Sequence, residues 1–182
     1  MYALILSGLA MQMTGNSRPA SGAEHHMVHL WDMEVVNGHL DALHGEKVSA
    51  ATMLVLLEYK KLADAIRRGA CRVHAFTDGD TELLQETFGR KGILGALEKE
   101  NTPELLDDVS TETLSGALPE ILKIIDFLPA VTDMQEMMNT AGCVSRVRDI
   151  GLPGEVIEES LRLAPYTRRR LSLLRLRKML TY

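Results

Sequence analysis

Helical spacing broken at short intervals by glycine and proline constrains this chain more than any other feature. Apolar residues recur three and four positions apart, as in Val48, Ala51, Met53, Leu54, Leu57 and Leu62, which is the pattern of a helix with one buried face. Alternating apolar runs of the kind that make half-buried strands are missing, aromatic residues are only 4% of the chain, and Leu, Met, Ala, Glu and Lys favour helix. An all-α, multi-helix fold is the expectation. The breaks are too short to be linkers and no internal repeat is present, so residues 1–182 are expected to form one helical domain, a size at which a core needs no crosslink.

The punctuation sets boundaries. A first helix, read as a core element, should run from Tyr2 to Thr14 and stop at Gly15-Asn16, where a left-handed residue can close it. It enters at Met1 without a cap, which suggests a fragment or a shortened reading frame. A second helix is expected over about Ala20–Val36, closed by Asn37-Gly38, and the longest over Glu46–Arg68, stopped by Gly69. Asp78 or Asp80 should cap a segment to Phe88, and another covers Ile93–Glu100. Thr102-Pro103 and Pro119 each read as helix starts, as do Thr132 or Asp133 and Pro153, with Thr167 capping the last helix.

Composition excludes several classes of function. Twenty-five acids against twenty bases leave a net charge of −5, so nucleic acid is not an expected partner. The one basic block, Arg168 to Lys178, interleaves with leucines and reads as a solvated helix face. The apolar opening is too short to span a membrane and lacks a basic leader. Two distant cysteines, Cys71 and Cys143, indicate neither a disulfide framework nor a thiolate zinc site, and fit a reduced, cytoplasmic setting. The ten methionines read as gap-filling core residues.

Five of the six histidines fall within twenty residues: His25, His26, His29, His39 and His44. His25 and His29, four apart on one helix, share a face, and His44 stands at the start of the longest helix, from which a loop can return it towards His25. Such imidazoles can hold zinc, with nickel or iron as alternatives; an HxxxH pair can equally be packed or exposed histidine. His26 and His39 lie off that face and are expected in solvent. Upstream, Asn16-Ser17-Arg18-Pro19-Ala20-Ser21-Gly22 offers hydroxyls, a guanidinium and free N–H groups where a helix begins, which suits either an anion pocket or a plain N-cap. Glu46 and Lys47 can pair across the helix start or enter the site.

Two stretches, SGLAMQMTGNSRPASGAEHHMVHLWDM and HGEKVSAATMLVLLEY, resemble the second-domain signature of the glycerol-1-phosphate dehydrogenases, within the superfamily of iron-containing alcohol dehydrogenases, glycerol dehydrogenases and dehydroquinate synthases. The SRPASGxEH string points to the glycerol-1-phosphate branch. The match is strongest over Leu6–Tyr59, and the tail LAPYTRRRLSLLRL is also similar. The resemblance implies the C-terminal helical domain of that fold, with His25 and His44 as ligands of a divalent metal and His29 beside the reacting centre. Ser17, Arg18 and Ser21 become candidates for the phosphate of a triose or glycerol substrate.

Family members also carry an N-terminal Rossmann-like domain that binds NAD(P) and supplies an aspartate as the third metal ligand. No glycine-rich strand-to-helix turn for it is found in these 182 residues. The resemblance therefore implies a domain inactive by itself, completed by the missing nucleotide-binding domain. The alternative is a non-catalytic helical interaction protein derived from the same fold, or a subunit completed by a separate nucleotide-binding chain. Either can expose a former cleft wall, which would favour a homo-oligomer.

Overall fold

The computed structural model describes residues 2–182. Nine α-helices carry these residues: α1 (Tyr2–Thr14), α2 (Ala23–Asp32), α3 (His44–Arg67), α4 (Thr81–Leu84), α5 (Leu94–Asn101), α6 (Thr111–Asp126), α7 (Val131–Thr140), α8 (Ile157–Leu163) and α9 (Leu173–Leu176). Short 3-10 turns join several of them, and α4 runs on into a π turn over Gln85–Gly89. The sheet among the described residues is a two-residue antiparallel ladder of β1 (Arg72–Val73) and β2 (Leu180–Thr181), with Arg72 opposite Thr181 and Val73 opposite Leu180. The fold is all-α, as the periodicity implies.

Helix α3 forms the axis of the molecule. Its apolar stripe is long enough to serve two clusters of buried side chains in succession. Ala50, Ala51 and Val55 join Met27, Leu30 and Trp31 of α2 in the first, and Leu62 and Ala63 join Leu106, Ile125 and Met179 in the second. The alanines are fully buried and keep the α2–α3 contact low and close, so the start of α3 is held beside α2. Gly69 ends α3 with φ +64°; its N–H donates to Ile66 O at 3.0 Å and that of Ala70 to Ala65 O at 2.9 Å, a Schellman closure that needs a left-handed residue.

Several sequence expectations are corrected. Helix α1 has the expected bounds but buries no residue: Tyr2 and Leu4 are more than 70% exposed, because its apolar residues spread around the helix instead of forming one stripe. The uncapped start expected at Met1 lies outside the described residues. Helix α2 stops at Asp32, short of Val36, where Glu34 adopts φ 51° and the Asn37 amide donates to Trp31 O at 3.2 Å. Thr102 closes α5 and starts no helix; its hydroxyl donates back to Glu98 O at 2.7 Å. Pro119 lies inside α6, which starts earlier because Ser110 Oγ accepts from Thr113 N at 3.0 Å. Neither Thr132 nor Asp133 caps α7, which begins at Val131 after Ala130. Thr167 is buried at the end of a 3-10 turn, and Ser172 precedes α9.

The basic tail is not a solvated face. Arg175, 1% exposed, donates to both Glu104 oxygens at 2.7 and 2.8 Å, to Asn101 Oδ1, to Pro165 O at 2.6 Å and to Arg168 O at 3.2 Å. Lys178 donates to Asp80 at 2.6 Å, and Arg162 and the Tyr166 hydroxyl reach the same carboxylate. Burial alone would raise the Asp80 pKa; these donors overrule it and hold the carboxyl below its usual range. The tail is thus anchored inside the protein, and the segment 168–172 is fixed against α2 and the 18–22 loop.

Candidate functional site

Helices α2 and α3 bring three histidines together. The ring centroids of His25 and His44 are 5.5 Å apart and those of His25 and His29 are 6.5 Å apart. The first pair spans a loop of eleven residues; the second shares a helix face four positions apart. A zinc–nitrogen bond of about 2.0–2.1 Å places two imidazole centroids about 5 Å apart on one tetrahedral ion, and about 6.5 Å only if the bonds are collinear. The separation of His25 and His44 suits a shared ion. His29 stands beside such a pair, at the extreme of its reach.

Surrounding groups orient the cluster. Asp32 accepts from Lys47 Nζ at 2.8 Å and lies 3.9 Å from His44 Nδ1. Glu46 turns back on the chain, accepting from Leu43 N at 2.7 Å, so Glu46 and Lys47 do not pair with each other; one caps α3 and the other ties it to α2. His29 is half-buried, and burial, then the Arg168 charge and His25, lower its pKa, which favours a neutral ring able to donate or accept a hydrogen bond. Among the described residues, no group of three or more His, Cys, Asp or Glu side chains is arranged to hold a metal ion. What the chain brings together is a pair of imidazoles with a third nearby.

Just before α2 the 18–22 loop faces the tail across a cleft of about 330 Å³ that Arg18, Ser21, Arg169, Arg170 and Ser172 line. Arg170 braces it, donating to Ser21 O at 2.6 Å and to Ser17 Oγ at 3.0 Å. Ser17 is therefore occupied in holding Arg170. His39 is exposed, as expected, and pairs with Glu34 at 3.0 Å. His26 is not: it is fully buried, lines the cleft, and has no hydrogen-bond partner at either ring nitrogen. Burial, then the charge of Arg170, pushes its pKa down to about 4. Sequence reasoning missed His26, Arg169, Arg170 and Ser172; the available signal was three consecutive arginines with no acid among them in an otherwise acidic chain.

Comparison with known proteins finds relatives that match most of this chain. The glycerol-1-phosphate dehydrogenase [NAD(P)+] of Halalkalibacterium halodurans is 31% identical over 175 residues, covering 94% of this chain and 35% of the relative. That of Geobacillus stearothermophilus is 28% identical over 165 residues, 90% of this chain and 34% of the relative. The chain belongs to the glycerol-1-phosphate dehydrogenase family. The glycerol-1-phosphate dehydrogenase [NAD(P)+] of Pyrococcus horikoshii is 38% identical over 91 residues, 47% of this chain and 25% of the relative. The chain spans about a third of the length of the curated relatives it matches most fully. No family model and no solved structure matches it.

Proposed function

We propose that this chain is the metal- and substrate-binding helical domain of an NAD(P)-dependent sn-glycerol-1-phosphate dehydrogenase, corresponding to the C-terminal part of the dehydroquinate synthase-like fold. The observation that carries the reading is the 5.5 Å approach of His25 to His44 from two different helices, the two positions that the family resemblance names as ligands. These two imidazoles hold a divalent cation, zinc by preference, and the nucleotide-binding domain supplies the third ligand. When bound, the cation would polarise the carbonyl of dihydroxyacetone phosphate or the hydroxyl of glycerol 1-phosphate, and NAD(P) would exchange hydride with that carbon.

The chain's own residues then have separate tasks. His29, neutral by virtue of its burial and its cationic neighbours, orients the reacting oxygen through a hydrogen bond or relays its proton. Arg18 and Ser21 receive the substrate phosphate, while Ser17 fixes Arg170 beside them. Lys47 and Asp32 hold the start of α3 against α2, so that His44 keeps its distance from His25. Without the nucleotide-binding domain the chain does not turn over substrate. Tyr2, Leu4, Ile5 and Leu9, exposed along α1, supply apolar surface that this domain would cover.

Isothermal titration with zinc tests the reading. The wild-type chain takes up one equivalent, and the His25→Ala/His44→Ala variant takes up none; identical isotherms for the two would refute it.

A further inference from the structure

We propose that the cleft between the 18–22 loop and the tail is a phosphate-monoester site whose charge comes from Arg18, Arg169 and Arg170 together, with His26 and Ser172 as polar contacts at its floor. The proposal deepens the reading of Arg18 and Ser21 given above by assigning most of the anion's recognition to the tail and to a histidine outside the 25, 29, 44 cluster.

The first observation is uncompensated charge. Tail residues Arg168, Arg175 and Arg177 each lie within 4 Å of a carboxylate, from Glu100, Glu104 and Glu158 respectively. Arg18, Arg169 and Arg170 have no carboxylate within that distance among the described residues, and no acidic side chain lines the cleft. Three guanidiniums converging without a counter-ion repel one another in a chain of net charge −5, which has acids to spare. A dianion between them removes that repulsion.

The second observation is unused hydrogen-bonding capacity. Arg169 donates through Nε to Pro103 O at 2.8 Å, and its two terminal nitrogens make no hydrogen bond among the described residues. Arg170 spends its terminal nitrogens on the loop and keeps Nε. The Arg18 side chain makes no hydrogen bond among the described residues. Ser172 Oγ and both ring nitrogens of His26 are buried and unpartnered. Buried polar groups are nearly always satisfied, so a fully buried imidazole and a hydroxyl left open beside the same cleft mark a place where a ligand completes the structure. A phosphate monoester fits this inventory: its oxygens are all acceptors, and every open group here except one imidazole nitrogen can donate. The rigidity is already provided, because Arg175 fixes the tail through Arg168 O and Pro165 O, and Arg170 ties the loop to the tail.

The experiment titrates the full 182-residue chain, freed of metal, with inorganic phosphate and separately with glycerol 1-phosphate. Calorimetry gives affinity and the 15N signals of the histidine rings report on His26. Saturable binding of both is expected, with the His26 ring signals moving. Arg18→Gln and Arg169→Gln each weaken it about tenfold, Arg169→Lys retains more affinity than Arg169→Gln, and Arg146→Gln, exposed and outside the cleft, changes nothing. Arg18 is exposed and without hydrogen-bond partners in its side chain, so its replacement leaves the fold intact, which a thermal melt checks. Tighter binding of glycerol 1-phosphate than of phosphate identifies the substrate as the source; equal binding identifies the phosphate group alone, and both support the site. No saturable binding, or equal losses with Arg146→Gln and Arg18→Gln, overturns it. The His25→Ala/His44→Ala variant retains phosphate binding, so failure of the metal reading and failure of this one give different results.

Discussion

Replacing Glu104 with alanine removes the carboxylate to which one terminal nitrogen of Arg175 donates. Arg175 is 1% exposed and Glu104 19% exposed, and the two oxygens of Glu104 lie 2.7 and 2.8 Å from the same guanidinium nitrogen. Breaking a buried ion pair by deleting one partner typically costs about 3–5 kcal/mol, because the remaining charge stays in a dry environment. The partial exposure of Glu104 lets water reach its side of the pair, which puts the expected loss at the lower end, about 3 kcal/mol. In a chain of this size each kcal/mol moves the melting temperature by about 2–4 °C, so Glu104→Ala should melt about 6–12 °C below wild type. Urea unfolding followed by circular dichroism should give the same free energy with an unchanged m value. The double variant Glu104→Ala/Arg175→Met should be less destabilised than the two single changes added together, by at least about 1.5 kcal/mol. A melting temperature within about 2 °C of wild type, or strictly additive losses, would refute the account of how the tail is anchored.

Other consequences follow from buried polar groups. The Trp31 indole N–H donates to Ser160 Oγ at 3.0 Å, with both residues buried; Ser160→Ala should cost about 1–3 kcal/mol in urea melts, and a neutral result would show that the indole finds another acceptor. The folded-state pKa of His26 is about 4 against 6.5 when unprotected, so the unfolded chain takes up a proton that the folded chain refuses. In phosphate-free buffer this contribution is constant above pH 6.5, falls as pH drops towards 4, and costs about 3 kcal/mol by pH 4. His26→Leu should flatten that slope; parallel stability curves for variant and wild type would contradict the burial argument.

How much was legible in the sequence depended on whether a signal was local. The bounds of α1 and the stop at Gly69 follow from periodicity and from a left-handed position that only local chemistry demands. The approach of His44 to His25 was legible as a pairing because the intervening loop is short and α2 and α3 present facing stripes. Failures came where distant segments compete. The apolar content of α1 suggested a core helix, yet no packed partner covers it among the described residues. Arg175 and Lys178 looked like a solvated face because their partners Glu104 and Asp80 lie 71 and 98 residues away. His26 was placed in solvent by helical angle alone; the tail, arriving from the far end of the chain, covers it.

X-ray absorption at the zinc edge of the metal-loaded chain is the most direct test of the central claim. Two imidazole nitrogens at about 2.0–2.1 Å, with water oxygens completing the sphere, are predicted, and removal of either His25 or His44 should reduce the imidazole count by one. A spectrum without imidazole scattering, or one unchanged by both substitutions, would contradict the account.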